Sequence, residues 1–428
     1  MLSDFEPLAL TPGTIFLDSH YSGREESRFS VMAANPFLLF SARRGLIEIT
    51  TAEKKEMLQS DPLEVLQQLL ERYKTEANEP FGPGAFGYIT YEFGYPLQKL
   101  EVKPYDDLFL PDLWFAFYDE VSVYDHKLQR KMKHKMKAQL KIEAPDSSKI
   151  SQVRSQDTAS PIEYTKRYQK IMEHIARGNI YQANLCERFV YPWEKDSWEI
   201  YKTLRQKQPT AYGAYLNTGR NQILSLSPEL FLRKNGSKIT TAPIKGTVPQ
   251  RDKAAVENLF HDEKNRAEHI MIVDLERNDL GRICEWGTIA PEELMHPESC
   301  GNVQHMVTTV EGTLRKDVLL PEIFRATFPG GSVTGAPKRK AMEVIGSLEP
   351  VVRGLYTGAI GWIGFSGDFV FNLPIRTILV QDQKAYLYLG GGIVSDSSAS
   401  SEYQEILDKG EPFFEAIGQS NAALSTIA

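Results

Sequence analysis

Lys245 sits between Pro243 and Gly246 in the string Thr241-Ala242-Pro243-Ile244-Lys245-Gly246-Thr247. Proline and glycine fix a turn there, so the lysine is held in one place. An amine with a free pKa of about 10.4 becomes a useful nucleophile only where burial or nearby positive charge lowers that value. The same string also fits a surface lysine in a hairpin turn, and its companions decide between the two. Glu268 lies in the helical stretch Arg266–Leu275, with Met271, Ile272 and Leu275 three, four and seven residues further on. Its carboxylate therefore falls on an apolar face and needs a partner, a proton or a metal. Glu402 and Glu405 stand one helical turn apart near the C-terminal end. Alone they read as a solvated helix face; with Glu268 they make an all-oxygen set that suits magnesium better than zinc.

Two glycine-rich loops add places for anions. Phe328-Pro329-Gly330-Gly331-Ser332-Val333-Thr334-Gly335-Ala336-Pro337-Lys338 leads into a helical run from Arg339 to Ile345, so backbone N–H groups at its start are expected to hold a carboxylate or phosphate. No Gly-Lys-Ser/Thr follows, which excludes a Walker loop. Leu389-Gly390-Gly391-Gly392-Ile393-Val394 allows close backbone approach to a second anion. Arg376, in the strand-like run Asn372 to Thr377, is hard to bury without an anionic partner. Two anion sites beside a metal point to a dicarboxylate.

The elements that must hold these residues belong to a chain of 428 residues, 42% hydrophobic and 25% charged, long enough for a large core or two domains. A net charge of -7 gives no electrostatic reason to expect nucleic acid or an anionic membrane as partner. The start has no basic segment followed by an apolar run, and a cytoplasmic location is expected. The three cysteines, Cys186, Cys284 and Cys300, are too scattered for a disulfide framework or a Cys-rich metal site.

Residues 1–145 read as strand-rich, with Ser27–Val31 alternating and Phe37–Phe40 a short apolar run. A helix is predicted over Asp61 to Ala77, after Ser60. The alternating lysines of Lys131–Lys137 suit a solvated strand, an edge guarded by charge. Residues 146–160 are polar and lack aromatics, the linker before a second region, 161–428. Ser160-Pro161-Ile162-Glu163 is a capping box opening a helix that stops at Gly178. Gly84–Ile89 and Gly358–Ile363 echo one another as glycine-punctuated strands and suggest related sheets in the two halves.

Taken together, Ile180-Tyr181-Gln182-Ala183-Asn184-Leu185, Ser227-Pro228-Glu229, the Pro-Ile-Lys-Gly-Thr string, Ala267-Glu268-His269 through Arg282, the loop from Phe328 to Lys338, Ile375-Arg376-Thr377, the three glycines 390–392 and Glu402-Tyr403-Gln404-Glu405 closely resemble the chorismate-utilising enzymes. The resemblance is strong from about 160 to 415; before 145 it rests on Leu17-Asp18-Ser19 and Ser27-Arg28-Phe29. It implies an α+β fold, a two-layer antiparallel β-sandwich with helices packed outside and interleaved with the N-terminal region. It implies that Lys245 attacks carbon 2 of chorismate while Glu229 protonates the departing 4-hydroxyl, and that ammonia then expels the lysine. Magnesium would be held by Glu268 and Glu405 with Glu402 nearby. Arg376, Tyr356, Gly391 and Gly392 would hold the enolpyruvyl carboxylate, Gly335 and Ala336 would assist at the ring carboxylate, and His305, Lys338, Gln182 and Thr247 would line the pocket.

Within the family, anthranilate synthases typically carry alanine at the position of Lys245, and isochorismate and salicylate synthases carry a water-activating lysine at the position of Gln182. The pair Lys245 and Gln182 therefore resembles the branch that aminates carbon 4 on the way to para-aminobenzoate and folate. No cysteine here has the glycine-flanked elbow of a glutamine amidotransferase, so a separate glutaminase subunit is expected to supply ammonia. A non-catalytic chorismate- or tryptophan-binding subunit is the contrasting reading, since the N-terminal region resembles the part that binds tryptophan in this family. Retention of Lys245, Glu229, Glu268 and Glu405 together counts against it.

Overall fold

The structure, a computed structural model, describes residues 2–20, 27–76, 80–137, 141, 160–300 and 303–418. Two antiparallel sheets, each using strands from both ends of the sequence, pack face to face. The ten-stranded sheet runs in the order Gly335–Ala336, Gln182–Pro192, Lys384–Ile393, Thr377–Gln381, Gln222–Ser227, Tyr212–Asn217, Thr14–Asp18, Phe29–Ala33, Glu120–Asp125, Arg130–Lys135. The twelve-stranded sheet runs Ile244–Pro249, Val303–Thr313, Lys238–Ala242, Leu230–Asn235, Phe369–Asn372, Ala359–Gly364, Gly84–Ile89, Leu113–Tyr118, Leu38–Arg43, Leu46–Thr51, Lys55–Gln59, and Ala290–Cys300 also pairs with Val303–Thr313.

The side-chain pattern explains the layering. Every residue of Gly84–Ile89 is buried, yet successive side chains point to opposite faces, as the pleat requires. Ala85 and Ile89 enter the core under the helices Pro62–Arg72, Glu263–Gly281 and Leu320–Thr327, whereas Phe86 and Tyr88 enter the core between the sheets. The outer face of the ten-stranded sheet is covered by Pro161–Ala176, Ser197–Lys207, Lys338–Leu348 and Ala399–Ile417. Among the described residues no helix is long and apolar enough to cross a membrane.

The glycine echo has a different meaning from the one expected. Gly84–Ile89 and Ala359–Gly364 are neighbours in one sheet, with Gly87 opposite Gly361. A Cβ on either would run into a backbone carbonyl, of Trp114 or of Val370. The echo therefore marks close backbone approach at the centre of a single sheet.

Local signals place the other elements. Ser160 Oγ accepts from the Glu163 N–H at 3.4 Å, Pro161 occupies the first turn, and Gly178 follows the helix with φ +70°. The helix expected over Asp61 to Ala77 is shorter, Pro62–Arg72, because Asp61 itself is the cap, accepting from the Leu63 and Glu64 N–H groups, and the apolar face ends at Leu70. Arg130–Lys135 is an edge strand whose lysines are exposed, with Lys133 and Lys135 reaching Glu120 at 2.7 and 3.1 Å. The linker over 146–160 lies outside the described residues apart from Ser160. A cavity of about 480 Å³ is lined from both sheets, by Leu17, Asp18, Phe29 and Tyr212 on one side and Arg233, Trp362 and Val370 on the other, with Phe81 at its wall.

Candidate active site

Lys245 is carried by the strand Ile244–Pro249, which pairs with Val303–Thr313. The register breaks between Lys245 and Thr247, where Gly246 takes φ +75°; a side chain there would also strike Leu259. Glycine is thus what lets the strand kink behind the lysine. Thr247 lies opposite His305 in this register; its side chain is outside the described set.

Across from it, Gln182–Pro192 pairs with Lys384–Ile393, bringing Asn184 opposite Gly392 and Leu185 opposite Gly391. A Cβ on Gly392 would overlap the Gln182 amide and stand 3.4 Å from the Lys245 Nζ. On Gly391 it would stand 3.1 Å from Glu402 Oε2 and 3.9 Å from Lys409 Nζ, and on Gly390 2.8 Å from the Tyr356 hydroxyl. Gly390 and Gly392 therefore leave room on one face of the strand for Tyr356, Gln182 and Lys245, while Gly391 leaves room on the opposite face for Glu402 and Lys409.

The charges are arranged around the first of these spaces. Glu229 is buried; its Oε1 accepts from Ser332 Oγ at 2.6 Å and from the Ile244 N–H at 3.5 Å. Burial pushes its carboxyl up to about 7, against the pull of Ser332, Lys245 and Arg376. Burial likewise holds the Lys245 amine below the ordinary lysine value, opposed by Glu268, Glu229 and Glu405 and reinforced by Lys409. An acid poised near neutrality beside an amine of lowered pKa is the combination that proton transfer and nucleophilic attack require. His305 is buried, and burial plus the Arg376 guanidinium take it down to about 3, so it stays neutral. Arg376 has φ 52°, and its carbonyl accepts from the Leu226 N–H at 3.0 Å. Tyr356 is buried and stacked on Tyr388, centroids 5.7 Å apart.

The loop after Phe328 folds otherwise than its sequence suggests. Gly335–Ala336 forms a short strand against Gln182 and Ala183, and the helix, expected from Arg339, begins at Lys338. The expected helix-start amides at Gly335 and Ala336 are therefore part of a sheet edge. A Cβ on Gly335 would overlap the Gln182 carbonyl, so the loop is packed directly on the strand that bears Gln182. Lys338, expected in the substrate pocket, is buried, ion-paired with Asp279 and donates to the Thr327 carbonyl at 2.8 Å. It serves as an internal countercharge.

Glu268, Glu402 and Glu405 come from two helices, Glu263–Gly281 and Ala399–Ile417. Glu268 and Glu405 both act on the Lys245 charge, and Glu402 reaches the Gly391 side of the glycine strand. Glu402 accepts from Ser397 Oγ at 2.6 Å, and Glu405 pairs with Lys409 at 2.6 Å. Among the described residues no three His, Cys, Asp or Glu side chains converge as a ready-made ligand set. All three are carboxylates, and carboxylate oxygens are the donors a hard cation that keeps several waters takes.

The structure thus gathers Lys245, Glu229, Gln182, Arg376, His305, Tyr356, Gly392, Glu268 and Glu405, sets Gly391 with Glu402 on the other face of the glycine strand, and withdraws Lys338. The sequence reading passed over Glu276, Asp279 and Lys409. Their signal was helical spacing: Glu276 follows Glu268 by eight residues and Asp279 follows Glu276 by three, while Lys409 follows Glu405 by four.

The double antiparallel sheet that carries the half-buried Lys245 is a fold shared with known proteins. The chain belongs to the chorismate binding enzyme family, whose model matches residues 23–415. Aminodeoxychorismate synthase component 1 of Bacillus subtilis (strain 168) is 34% identical over 438 residues, covering 95% of this chain and 92% of that protein. Anthranilate synthase component 1 of Acetivibrio thermocellus is 33% identical over 445 residues, covering 94% and 90%. The crystal structure of anthranilate synthase component I from Streptococcus pneumoniae TIGR4 superposes with a TM-score of 0.78 at 30% identity, covering 91% of this chain and 93% of that one.

Proposed function

We propose that the chain is an aminodeoxychorismate synthase component 1, converting chorismate and ammonia to 4-amino-4-deoxychorismate and water. Relatives of both aminating kinds stand at similar identity, so the choice between them rests on the site. The observation that carries it is the Lys245 amine, 3.4 Å from the point a Gly392 side chain would occupy and beside the Gln182 amide. An amine there fills the space next to carbon 2 that an anthranilate-forming enzyme must leave open.

In this reading the Lys245 amine bonds to carbon 2 of chorismate as the double bonds shift and the carbon 4 to oxygen bond breaks, with Glu229 giving its proton to the departing hydroxyl. Ammonia then bonds to carbon 4, the lysine to carbon 2 bond breaks, and the surplus proton of the ammonia nitrogen returns to the Glu229 carboxylate. Arg376 and the glycine strand hold the enolpyruvyl carboxylate, and neutral His305 lines the pocket without adding charge. A magnesium ion, when held by Glu268 and Glu405 with Glu402 beside them, would supply positive charge for the ring carboxylate. A separate glutaminase subunit would supply ammonia, and the setting would be cytoplasmic, in para-aminobenzoate and folate synthesis.

The test is incubation of the purified chain with chorismate, magnesium and ammonium salt, with products identified by mass and retention time. Aminodeoxychorismate is expected; anthranilate as the main product would select the other branch, and no turnover at all would favour the binding subunit.

A further inference from the structure

Glu276 is a buried carboxyl that the mechanism above does not use. It lies on the helix Glu263–Gly281, eight residues beyond Glu268. Its Oε1 accepts from the Gly331 N–H at 2.8 Å, and the next residue in the turn Gly331–Val333, Ser332, gives its hydroxyl to Glu229 at 2.6 Å. A Cβ on Gly331 would stand 2.9 Å from that carboxyl oxygen and 2.8 Å from Leu275, so a side chain there would push the Glu276 carboxyl aside. Two adjacent residues therefore connect two buried carboxyls, one through the backbone and one through a hydroxyl.

We propose that Glu276 is a positioning residue for Glu229: it anchors the turn that presents Ser332 to the catalytic carboxyl, and its charge tunes that acid. The inference rests on the reading of Glu229 as the proton donor. A turn held only for shape could use any acceptor, and burying a carboxyl is costly without compensation. The nearby cation does not offset that cost fully, because Lys338, from the helix Lys338–Leu348, is already paired with Asp279, which Arg282 also contacts at 2.5 Å. The groups facing Glu276 are thus Lys338, Asp279 and, across the turn, Glu229; those facing Glu229 from its other side are Lys245 and Arg376. Burial raises Glu276 as it raises Glu229, and each carboxylate makes the other harder to ionise.

Glu276→Gln keeps an acceptor for the Gly331 N–H and removes the charge. The alkaline limb of the kcat/KM profile, where Glu229 loses its proton, is then expected to move to lower pH by about half a unit or more. Ser332→Ala removes a hydrogen bond that favours the ionised form, so the same limb should move to higher pH. Infrared titration of the Glu229 carboxyl band, located by its loss in Glu229→Gln, should show the same opposite shifts without any turnover. That band separates two failures: shifts in an enzyme that makes no aminodeoxychorismate sink the functional reading alone, whereas an unmoved limb and band in Glu276→Gln overturn the role of Glu276. If Glu276→Gln does not fold, Ser332→Ala decides, and an unshifted band overturns the proposal.

Discussion

The cleft beside Lys245 and the cavity between the sheets both bury ionisable groups, and they do so by opposite means. At the cavity each charge meets a partner: Asp18 is ion-paired with Arg205 and accepts from the Tyr201 hydroxyl at 3.2 Å, and Lys234 lies 3.7 Å from Asp368 and donates to the Gly367 carbonyl at 3.0 Å. In the cleft Glu229 accepts from two neutral donors, Ser332 Oγ and the Ile244 N–H, while the charges of Lys245 and Arg376 pull on it. Paired charges are fixed parts of the fold. The Glu229 carboxyl is instead held near 7, where a proton can still be exchanged. The comparison predicts that removing a charge will cost turnover in the cleft and only stability at the cavity.

The largest effect is expected at the nucleophile. Lys245→Ala should lower kcat by at least about 10³-fold, in the range felt when a catalytic group is lost. Chorismate binding through Arg376 and the glycine strand should change little, so equilibrium binding and turnover must separate. Trapping during turnover should place a mass adduct on the Lys245 peptide of the unaltered chain. Undiminished synthesis by the variant would reduce the lysine to a pocket residue and remove the contrast between the two regions.

Next is the acid, whose removal should work in two directions. Glu229→Gln should lower kcat by roughly 10²–10⁴-fold. It should also stabilise the fold at alkaline pH. A carboxyl raised from 4.5 to about 7 keeps its proton in the folded chain after the unfolded chain has released it. Stability is therefore lost as pH rises from about 4.5 to 7, and the whole penalty is present above that range. The variant escapes it, so its gain should be on the order of 1–3 kcal/mol at pH 8 and small at pH 5. Denaturant midpoints at the two pH values measure it; an equal effect at both would mean that Glu229 is paired like the cavity charges.

A smaller effect is expected at the carboxylates of the C-terminal helix. Glu405→Gln should raise the magnesium concentration needed for half-maximal turnover by about tenfold or more, a loss of about 1.4 kcal/mol of affinity. Chelation should stop the unaltered chain, and added magnesium should restore it. Direct magnesium titration by calorimetry checks the assignment without turnover. Full activity in excess chelator would leave Glu405 as no more than the partner of Lys409.

How far this contrast could be read from the sequence follows from the range of the interactions. The capping box at Ser160 is legible from local spacing, because a helix turn is decided within a few residues, whereas Lys245 and Glu402 alone read as a hairpin lysine and a solvated helix face and gain meaning only from the other motifs. The layered sandwich came through resemblance, and the strand pairs confirm it. What local pattern cannot carry is which distant residue neutralises which. Lys338 reads as an active-site cation until Asp279, fifty-nine residues earlier, is seen to hold it. Glu276 is silent until Gly331 arrives from another element. The helix expected to run to Ala77 stops at Arg72 for a local reason, since its buried apolar face ends at Leu70, and its start is shifted by one because Asp61 is the cap. The echo at Gly87 and Gly361 was visible, but only the register shows that the two glycines face one another.

The smallest effect on turnover is expected at the cavity, and it tests whether the two regions are independent. Phe81 packs on Trp362 at 5.0 Å and on Phe29 at 5.9 Å between ring centroids, and it is only half-buried. A fully buried phenylalanine truncated to alanine costs about 3–5 kcal/mol, so a half-buried one at the wall of an existing cavity should cost about 1–2. Phe81 also has φ 57°, which an alanine tolerates no better, so the backbone term should not change sign. None of its neighbours is among the groups that set the charge of Lys245 or Glu229. Phe81→Ala should therefore lower the unfolding midpoint while kcat and KM for chorismate stay within about twofold, less than 0.5 kcal/mol of barrier. A fall in kcat well beyond that in a chain still folded at the assay temperature would show that the cavity wall and the cleft are coupled, and the division between structural and chemical charge would have to be redrawn.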